Sequence, residues 1–402
     1  MHSENYNQQK IRIVTFLSFL LGFFDGFLIY ILSEYFASVS HSENVGMFYF
    51  VAFSLVLVSL FYLQSLVRRI GQARALYLSL GFAILATALL TRLAPSWMTL
   101  AIMVLFMVAT NVTWVVLDMI LESFSKDRLS GRIRGLYLSI MSAGILLAPF
   151  LSTWTLEHYH YEGVFFVLLL GYNSLFLVAL IGFRHDNVVS QARHRFWETF
   201  QKVKSEANLW NIYCVSFAME FFYALILVYT PLYLRSLGFI WTDIGIIFTI
   251  MLIPFVLLQY PLGRLADRRM GEKELLAGCT VIALLSTLAI PFLESREILV
   301  WGAVLFLTRV GIAGIEVLRD SYFYKQIDHS DLDIIAFFRT ARPIANIIGA
   351  GTAFVFLWFF PVRGIFFIIV LVFLLSLVSI FRLRDTQSEA ETRAESLSQR
   401  SF

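Results

Sequence analysis

Long apolar runs constrain this chain more than any other feature of its sequence. Hydrophobic residues make up 59% of the 402 residues and charged residues only 15%, whereas a typical soluble domain is roughly 25% charged. A helix needs about 20 apolar residues to cross the hydrocarbon of a bilayer, and twelve runs approach that length. They lie near 13–35, 45–67, 74–92, 97–121, 135–156, 163–183, 208–233, 242–263, 273–293, 297–319, 336–360 and 363–382.

The pattern inside these runs favours α-helices over a membrane β-barrel. Barrel strands alternate apolar and polar residues over about ten positions, whereas a segment such as 368–373 is apolar throughout. A helix also satisfies its own backbone hydrogen bonds within lipid. We therefore expect an all-α membrane protein with twelve transmembrane helices.

Two pairs of similar segments, each about 200 residues apart, indicate that the chain is duplicated. Residues 263–271 resemble 63–71, and residues 315–322 resemble 117–124. Internal repeats of spanning helices are typical of secondary transporters. The predicted organisation is an N-terminal six-helix bundle over 1–183, a central loop over 184–207, a pseudo-symmetric C-terminal six-helix bundle over 208–383, and a tail over 384–402.

The distribution of basic residues predicts the orientation in the membrane. Most of the 31 Lys and Arg residues fall in segments on the side of the N-terminus, including the predicted central loop. Cytoplasmic loops carry such an excess, so we expect both termini, the central loop and the tail in the cytoplasm, in a plasma or inner membrane. Trp197, Phe200 and Val203 are spaced three apart in the central loop. This spacing predicts either a short amphipathic helix on the cytoplasmic leaflet or a plain tether.

One loop carries a specific resemblance. The segment 263–273 has Gly263, Asp267, Arg268 and Arg269 in the order of the loop signature of the major facilitator superfamily. In that family the signature joins the second and third helices of each half, and here it lies between the eighth and ninth runs. The resemblance implies two six-helix bundles, alternating access, and a substrate site near the bilayer midplane.

The chemistry of this loop fits a latch at the cytoplasmic ends of the helices. Gly263 lets its helix approach a neighbour closely. Asp267 can meet a helix N-terminus or the adjacent arginines, and the resemblance implies that such contacts form in one state and break in the other. Arg268 and Arg269 would alternatively only set the topology. The N-terminal copy lacks the aspartate, since Val67 stands in its place.

Three charges lie near the middle of predicted spans: Asp25, Glu220 and Arg309. Each costs about 3 kcal/mol or more to insert, so each requires a reason. Asp25 would carry a proton as access alternates. Glu220 and Arg309 would form a fixed ion pair, or Arg309 would hold an anionic substrate group.

The resemblance implies that helices 1, 4, 7 and 10 line the central cavity, where these three charges fall. Asn111 adds a polar group at a similar depth on the fourth helix. Trp114 and Tyr223, also on cavity helices, would stack a flat apolar ligand or simply pack in the core.

Acidic residues repeat at the cytoplasmic ends of the fourth and tenth helices. Asp118 and Glu122 correspond to Glu316 and Asp320, and each pair is spaced four apart. With basic residues nearby, they are predicted to form gate ion pairs between helices, or alternatively a solvated cluster. The predicted basic partners in the C-terminal half are Arg339 and Arg342, three apart at the start of the eleventh helix and therefore on one face.

These observations predict a secondary active transporter that moves a small organic solute with proton coupling, and efflux is the favoured direction. Uptake of a polar or anionic solute through Arg309 is the second reading, and a transporter-like sensor without flux is the third. An enzyme is not expected, because no nucleophile–base pair, metal cluster or phosphate loop is visible. We expect a monomer whose partners are the solute, protons and the lipid bilayer, without cofactor, metal or nucleic acid.

Overall fold

The computed structural model describes residues 2–42, 44–124, 130–183, 196–266, 271–327 and 332–384. Within these ranges the chain is helical and contains no β-strand. Short 3-10 helices precede α11 and α14. The α-helices are α1 (His2–Ile29), α2 (Leu32–Ser40), α3 (Gly46–Ile70), α4 (Gln72–Arg92), α5 (Trp97–Phe124), α6 (Ser130–Phe183), α7 (Phe196–Ser205), α8 (Ala207–Ser236), α9 (Trp241–Leu265), α10 (Glu272–Ala289), α11 (Ile298–Lys325), α12 (Leu332–Arg339), α13 (Ala341–Phe356) and α14 (Ile365–Phe381).

Ten helical segments of the described chain are long and apolar enough to cross a membrane. The expected number of twelve is therefore not confirmed, and two places account for the difference. The backbone of α6 is not helical at His160 (φ 54, ψ −166), so this continuous segment consists of two helices that correspond to the predicted runs 135–156 and 163–183. The predicted run 336–360 is divided between α12 and α13, of 8 and 16 residues.

Pro343 explains the division between α12 and α13. A proline cannot donate a hydrogen bond to the carbonyl four residues earlier, here that of Arg339, and its ring crowds that carbonyl. The chain turns at Thr340, whose Oγ1 donates to the Phe337 carbonyl at 2.6 Å. Arg339 and Arg342 consequently lie on different helices, so the prediction that they share one face of a continuous helix is wrong.

The predicted amphipathic helix of the central segment is present as α7, from Phe196 to Ser205. Val203 is buried, whereas Trp197 is 65% exposed and stacks on Phe200 at 5.3 Å between ring centroids. Phe200 also contacts the ring of Phe337 on α12 at 6.0 Å. The helix therefore has a packed side and an exposed side, and its position on a leaflet stays a prediction.

The chain clusters into two compact units. The first contains residues 1–192 with Leu227–Thr249 and Ala350–Trp358, and the second contains residues 193–226, 250–349 and 359–402. The first unit thus includes the end of α8, the beginning of α9 and the end of α13. The division predicted at the central loop stays a prediction.

We call the far end that part of the first unit where α2 and α8 end, α6 changes direction and α9 begins. Tyr30 of α1 packs against Phe248 of α9 with ring centroids 4.8 Å apart. Next to α3, the Asn44 side chain donates a hydrogen bond to the Phe354 carbonyl of α13 at 3.0 Å. These contacts tie N-terminal helices to parts of α9 and α13.

Small residues set the spacing of α10 and α11 in the second unit. A Cβ placed on Gly311 would lie 2.5 Å from the Cys279 carbonyl oxygen and 2.6 Å from the Ala283 nitrogen. Both are backbone atoms, so they have little room to move. Glycine here allows the two helix backbones to pack at close range, as is common between membrane helices.

We expect Gly311→Ala to destabilise the protein, because the added methyl group overlaps the backbone of α10. Overpacking costs about 1–3 kcal/mol, more than the gain of about 1 kcal/mol in helix propensity. The measurement is the thermal unfolding midpoint in detergent. Gly278→Ala, on α10 with open space around its Cβ, is the matched control and should not lower the midpoint. Equal midpoints for both variants would contradict the packing argument.

Candidate functional site

The second unit concentrates charged side chains along α11. Arg309 and Glu316 are seven residues apart, which is about two helical turns, so they project from the same side of the helix. Arg319 and Asp320 follow one turn later. The contacts of these side chains are with α8, α9 and α12, and they separate into two clusters.

Arg309 is a buried cation held between aromatic rings. The residue is 1% exposed, and its guanidinium lies 5.1 Å from the ring centroid of Phe222 and 5.4 Å from that of Tyr223. Its Nη2 approaches the Met251 sulfur at 3.9 Å. Within the described chain, Nε and Nη1 have no hydrogen-bond partner. Aromatic faces attract a cation, but they leave these N–H donors unsatisfied.

Glu220 pairs with Arg319 and not with Arg309, so the sequence-based pairing of Glu220 with Arg309 is wrong. The Arg319 Nη1 lies 3.3 Å from Glu220 Oε1 and also donates to Ser216 Oγ at 2.6 Å. Its Nε contacts Asp320 Oδ1 at 3.2 Å. The guanidinium therefore joins carboxylates of α8 and α11.

Sequence reasoning missed Arg319 as a site residue. The signal that would have found it is the internal repeat itself. Aligning Glu316 with Asp118 places Arg319 opposite Leu121, so the C-terminal copy gains a cation between two acids where the N-terminal copy has an apolar residue.

Glu316 is bonded differently from the other two acids. Its Oε2 accepts a hydrogen bond from Gln259 Nε2 of α9 at 3.1 Å, and that partner is neutral. Glu220, Arg319, Asp320 and Arg342 are the charged groups close enough to influence it electrostatically. The cluster thus contains three carboxylates, and Arg319 forms the ion pairs described with two of them. Asp320 is the most exposed of the paired acids, with 39% of its side chain accessible to solvent.

The N-terminal candidates lie in the first unit. Asp25 on α1 is half-buried, with Tyr172 of α6 nearby. Asn111 donates its side-chain amide to the Met107 carbonyl of its own helix at 2.8 Å. Trp114 and Asp118, farther along α5, are half-buried. The structure therefore keeps these residues on the predicted helices, and their functional roles stay predictions.

The signature loop is described only at its edges. A Cβ on Gly263 would lie 3.2 Å from the Val317 side chain of α11, so this glycine stands at a close helix contact. Asp267, Arg268 and Arg269, and the side chain of Glu122, lie outside the described residues. Arg339 and Arg342 are exposed, and the predicted gate pairs with Glu316 and Asp320 stay predictions.

A second contact beside this loop was not foreseen. Glu272, the first residue of α10, is fully buried. Its Oε1 accepts a hydrogen bond from Ser321 Oγ at 2.8 Å and forms an ion pair with Lys325. The residue after Gly271 therefore fixes the start of α10 to the end of α11.

A family model described as the Major Facilitator Superfamily matches residues 14–327. The chain belongs to the major facilitator superfamily. A comparison with curated proteins found no match. The superfamily generally consists of transporters and not of enzymes, and together with the apolar helices this makes the chain a multi-pass membrane transporter.

In this major facilitator protein, we expect Arg319→Met to lower the stability of the fold. The substitution leaves Glu220 and Asp320 without their shared cation. Breaking a buried ion pair costs about 3–5 kcal/mol, and we expect a smaller loss here because the Asp320 side chain is partly exposed to solvent. The measurement is the thermal unfolding midpoint in detergent. The double variant Arg319→Met/Glu220→Gln should recover part of the loss.

Arg296→Gln is the control for this experiment, since Arg296 is exposed in the loop before α11. A midpoint for Arg319→Met equal to that of Arg296→Gln would show that Arg319 does not stabilise the fold. An unchanged midpoint in the double variant would show that the loss does not come from the uncovered Glu220.

Proposed function

We propose that this transporter takes up a small organic solute bearing a carboxylate, coupled to protons, by alternating access. The observation that carries the proposal is Arg309, a buried guanidinium with aromatic neighbours and unsatisfied donors. The reading as a sensor without flux is an outcome of the test below.

The recognition chemistry follows from what surrounds Arg309. A guanidinium presents parallel N–H groups that match the two oxygens of a carboxylate. Phe222 and Tyr223, which already flank the guanidinium, offer apolar faces to the rest of a small molecule. Arg309 is sealed from solvent here, so the solute reaches it in a more open state of the transport cycle.

The same residue favours a polar solute over an apolar one. A charge inside a span costs about 3 kcal/mol or more, and an apolar solute would make no electrostatic interaction that offsets this cost. A carboxylate would offset the cost, because its oxygens would accept hydrogen bonds from the unsatisfied N–H donors of Arg309. Arg309 therefore supports a polar or anionic solute, as in the second reading of the sequence, in which that solute is taken up.

We expect Arg309→Gln to abolish uptake of carboxylate solutes into proteoliposomes with an imposed pH gradient. Hydrogen bonds to charged groups are worth about 1.5–3 kcal/mol, which corresponds to about 10- to 100-fold in affinity. Arg309→Lys keeps the positive charge but loses the pair of parallel N–H donors, so it should retain part of the activity. The measurement is lumenal pH and radiolabelled solute, for a panel of small carboxylates and matched neutral amides.

Arg296→Gln is the control variant and should transport like the wild type. Uptake by Arg309→Gln equal to that of the wild type would remove Arg309 from the solute site. Binding of carboxylates without flux in the wild type would favour the sensor.

Proton coupling is supported by the carboxylate cluster on α11. Arg319 is engaged by Glu220 and Asp320, whereas Glu316 has the neutral amide of Gln259. A third negative charge in this position is costly inside a span, and taking up a proton removes it. We infer that Glu316 binds the coupled proton. Asp25, the candidate from the sequence, is the alternative.

We expect Glu316→Gln to abolish solute accumulation driven by a pH gradient while solute exchange at equal pH continues, because the amide mimics the protonated acid. Asp320→Asn is the matched control, because Asp320 lies in the same cluster but is more exposed to solvent. Transport by this variant should remain coupled to protons. Asp25→Asn is measured in the same assay. Loss of coupling in Asp25→Asn alone would assign the proton to Asp25 and contradict the role of Glu316.

A further inference from the structure

Tyr223 of α8 lies between the two clusters of charged side chains on α11. Its ring contacts Arg309, with 5.4 Å between the ring centroid and the guanidinium carbon. Glu220, one helical turn earlier on the same side of α8, forms the ion pair with Arg319. Because α8 contacts α11 at both of these arginines, Tyr223 stands beside the stretch of α11 that carries Glu316.

The electrostatic surroundings of the Tyr223 hydroxyl agree with this position. Glu316 is the charged group with the largest influence on it, and Arg309, Glu220 and Arg319 follow in that order. The Arg309 guanidinium is in contact with the ring, yet its influence on the hydroxyl is smaller than that of Glu316. The hydroxyl therefore lies within range of both the proposed solute site and the proposed proton site.

The same hydroxyl is available to a new partner. Tyr223 is half-buried, and within the described chain its hydroxyl makes no hydrogen bond, although a buried phenol group usually has one. Glu316 accepts from Gln259 through Oε2, and a carboxylate has room for further donors on its two oxygens. A phenol donor and a carboxylate acceptor thus lie close together on facing helices.

We propose that Tyr223 couples solute binding to proton binding. Its hydroxyl donates a hydrogen bond to Glu316 while this acid is ionised, and it turns to the solute carboxylate on Arg309 once Glu316 has taken up a proton from water. The phenol keeps its own proton throughout, so the step exchanges one hydrogen bond for another. This inference rests on the proposed function and deepens it, because it names the residue through which the two sites communicate.

The exchange follows from the strengths of the hydrogen bonds involved. A hydrogen bond to an ionised acceptor is stronger than one to a neutral acceptor, so the phenol prefers a carboxylate to a protonated acid. The other two acids of the cluster are engaged by Arg319. After Glu316 has been protonated, the solute therefore offers the hydroxyl a better acceptor. By linkage, the proton raises the affinity for the solute, and the solute raises the affinity for the proton.

Other charges also make solute binding depend on pH, and the test has to separate them from the hydroxyl. Ionised Glu316 repels a solute carboxylate directly, with or without Tyr223. The groups around Glu316 are Glu220 of α8, the neutral Gln259 of α9, Arg319 and Asp320 of α11, and Arg342 of α13. Tyr223→Phe leaves all of these groups and the aromatic ring in place, and it removes only the hydroxyl.

The first measurement is the affinity for radiolabelled benzoate, acetate and lactate in lipid nanodiscs at acidic and at alkaline pH, with the corresponding amides as neutral controls. At acidic pH, Tyr223→Phe should weaken the carboxylate that binds best by about 10- to 100-fold, as expected for a hydrogen bond to a charged group. At alkaline pH the loss should be smaller, because ionised Glu316 then competes for the hydroxyl. A residue that only packs, or only binds the solute, would lose the same factor at both pH values.

A second measurement follows the proton on Glu316 in the absence of solute. The infrared carbonyl band of a protonated carboxyl group that disappears in Glu316→Gln reports this proton. Removing a donor from the ionised form favours the protonated form. The band should therefore appear at a pH about one to two units higher in Tyr223→Phe than in the wild type.

Tyr213→Phe is the matched control for both measurements. Tyr213 lies on the same helix, ten residues or about 15 Å from Tyr223, and its hydroxyl contacts Thr340 Oγ1 at 3.2 Å. Removing that hydroxyl should change neither the affinity ratio between the two pH values nor the infrared midpoint.

The outcomes separate this inference from the proposed function. Equal weakening of solute binding at both pH values, no weakening at acidic pH, or an unchanged infrared midpoint in Tyr223→Phe would each overturn the coupling role. If Arg309→Gln abolishes uptake and Glu316→Gln abolishes coupling while Tyr223→Phe behaves like the wild type, only this inference fails. If no carboxylate binds the wild-type protein, the proposed function fails, and the infrared midpoint alone decides whether Tyr223 acts on Glu316.

Discussion

The cost of placing charge among apolar helices governs the functional part of this molecule. Arg319 meets that cost by contacting the acids of two helices and a serine hydroxyl at once. Arg309 meets it only in part, through two aromatic faces and a sulfur atom. One arginine of α11 is thus a structural cross-link, whereas two N–H donors of the other have no partner within the described residues.

The helical class and the family were predictable from the sequence, and the short helix of the central segment was one of the two alternatives left open there. They follow from composition, from spacing and from one loop signature, and these signals are local. The break before α13 was not predicted, because it depends on the backbone conformation around a single proline. Pro343 was visible in the sequence, but a proline near the start of an apolar run is also a common way to begin a helix.

Pairing was harder to predict than position. Asp25, Glu220 and Arg309 all lie on the helices where the sequence placed them, but the partner of Glu220 is a different arginine. Three acids and two arginines lie within a few helical turns of one another, so several pairings are possible, and the rotation of each helix selects among them. Rotation depends on packing such as that of Gly311 against α10, which no local pattern reveals.

The turn at Thr340 has a mechanical consequence. Phe337 of α12 packs against Phe200 of α7 and against Tyr213 of α8. Because α12 is separated from α13 at Thr340, a displacement of α7 acts first on α12, which is only about two helical turns long. This short helix can swing about Thr340 without bending α13. A displacement of α7 would thereby reach α12 while α13 keeps its shape.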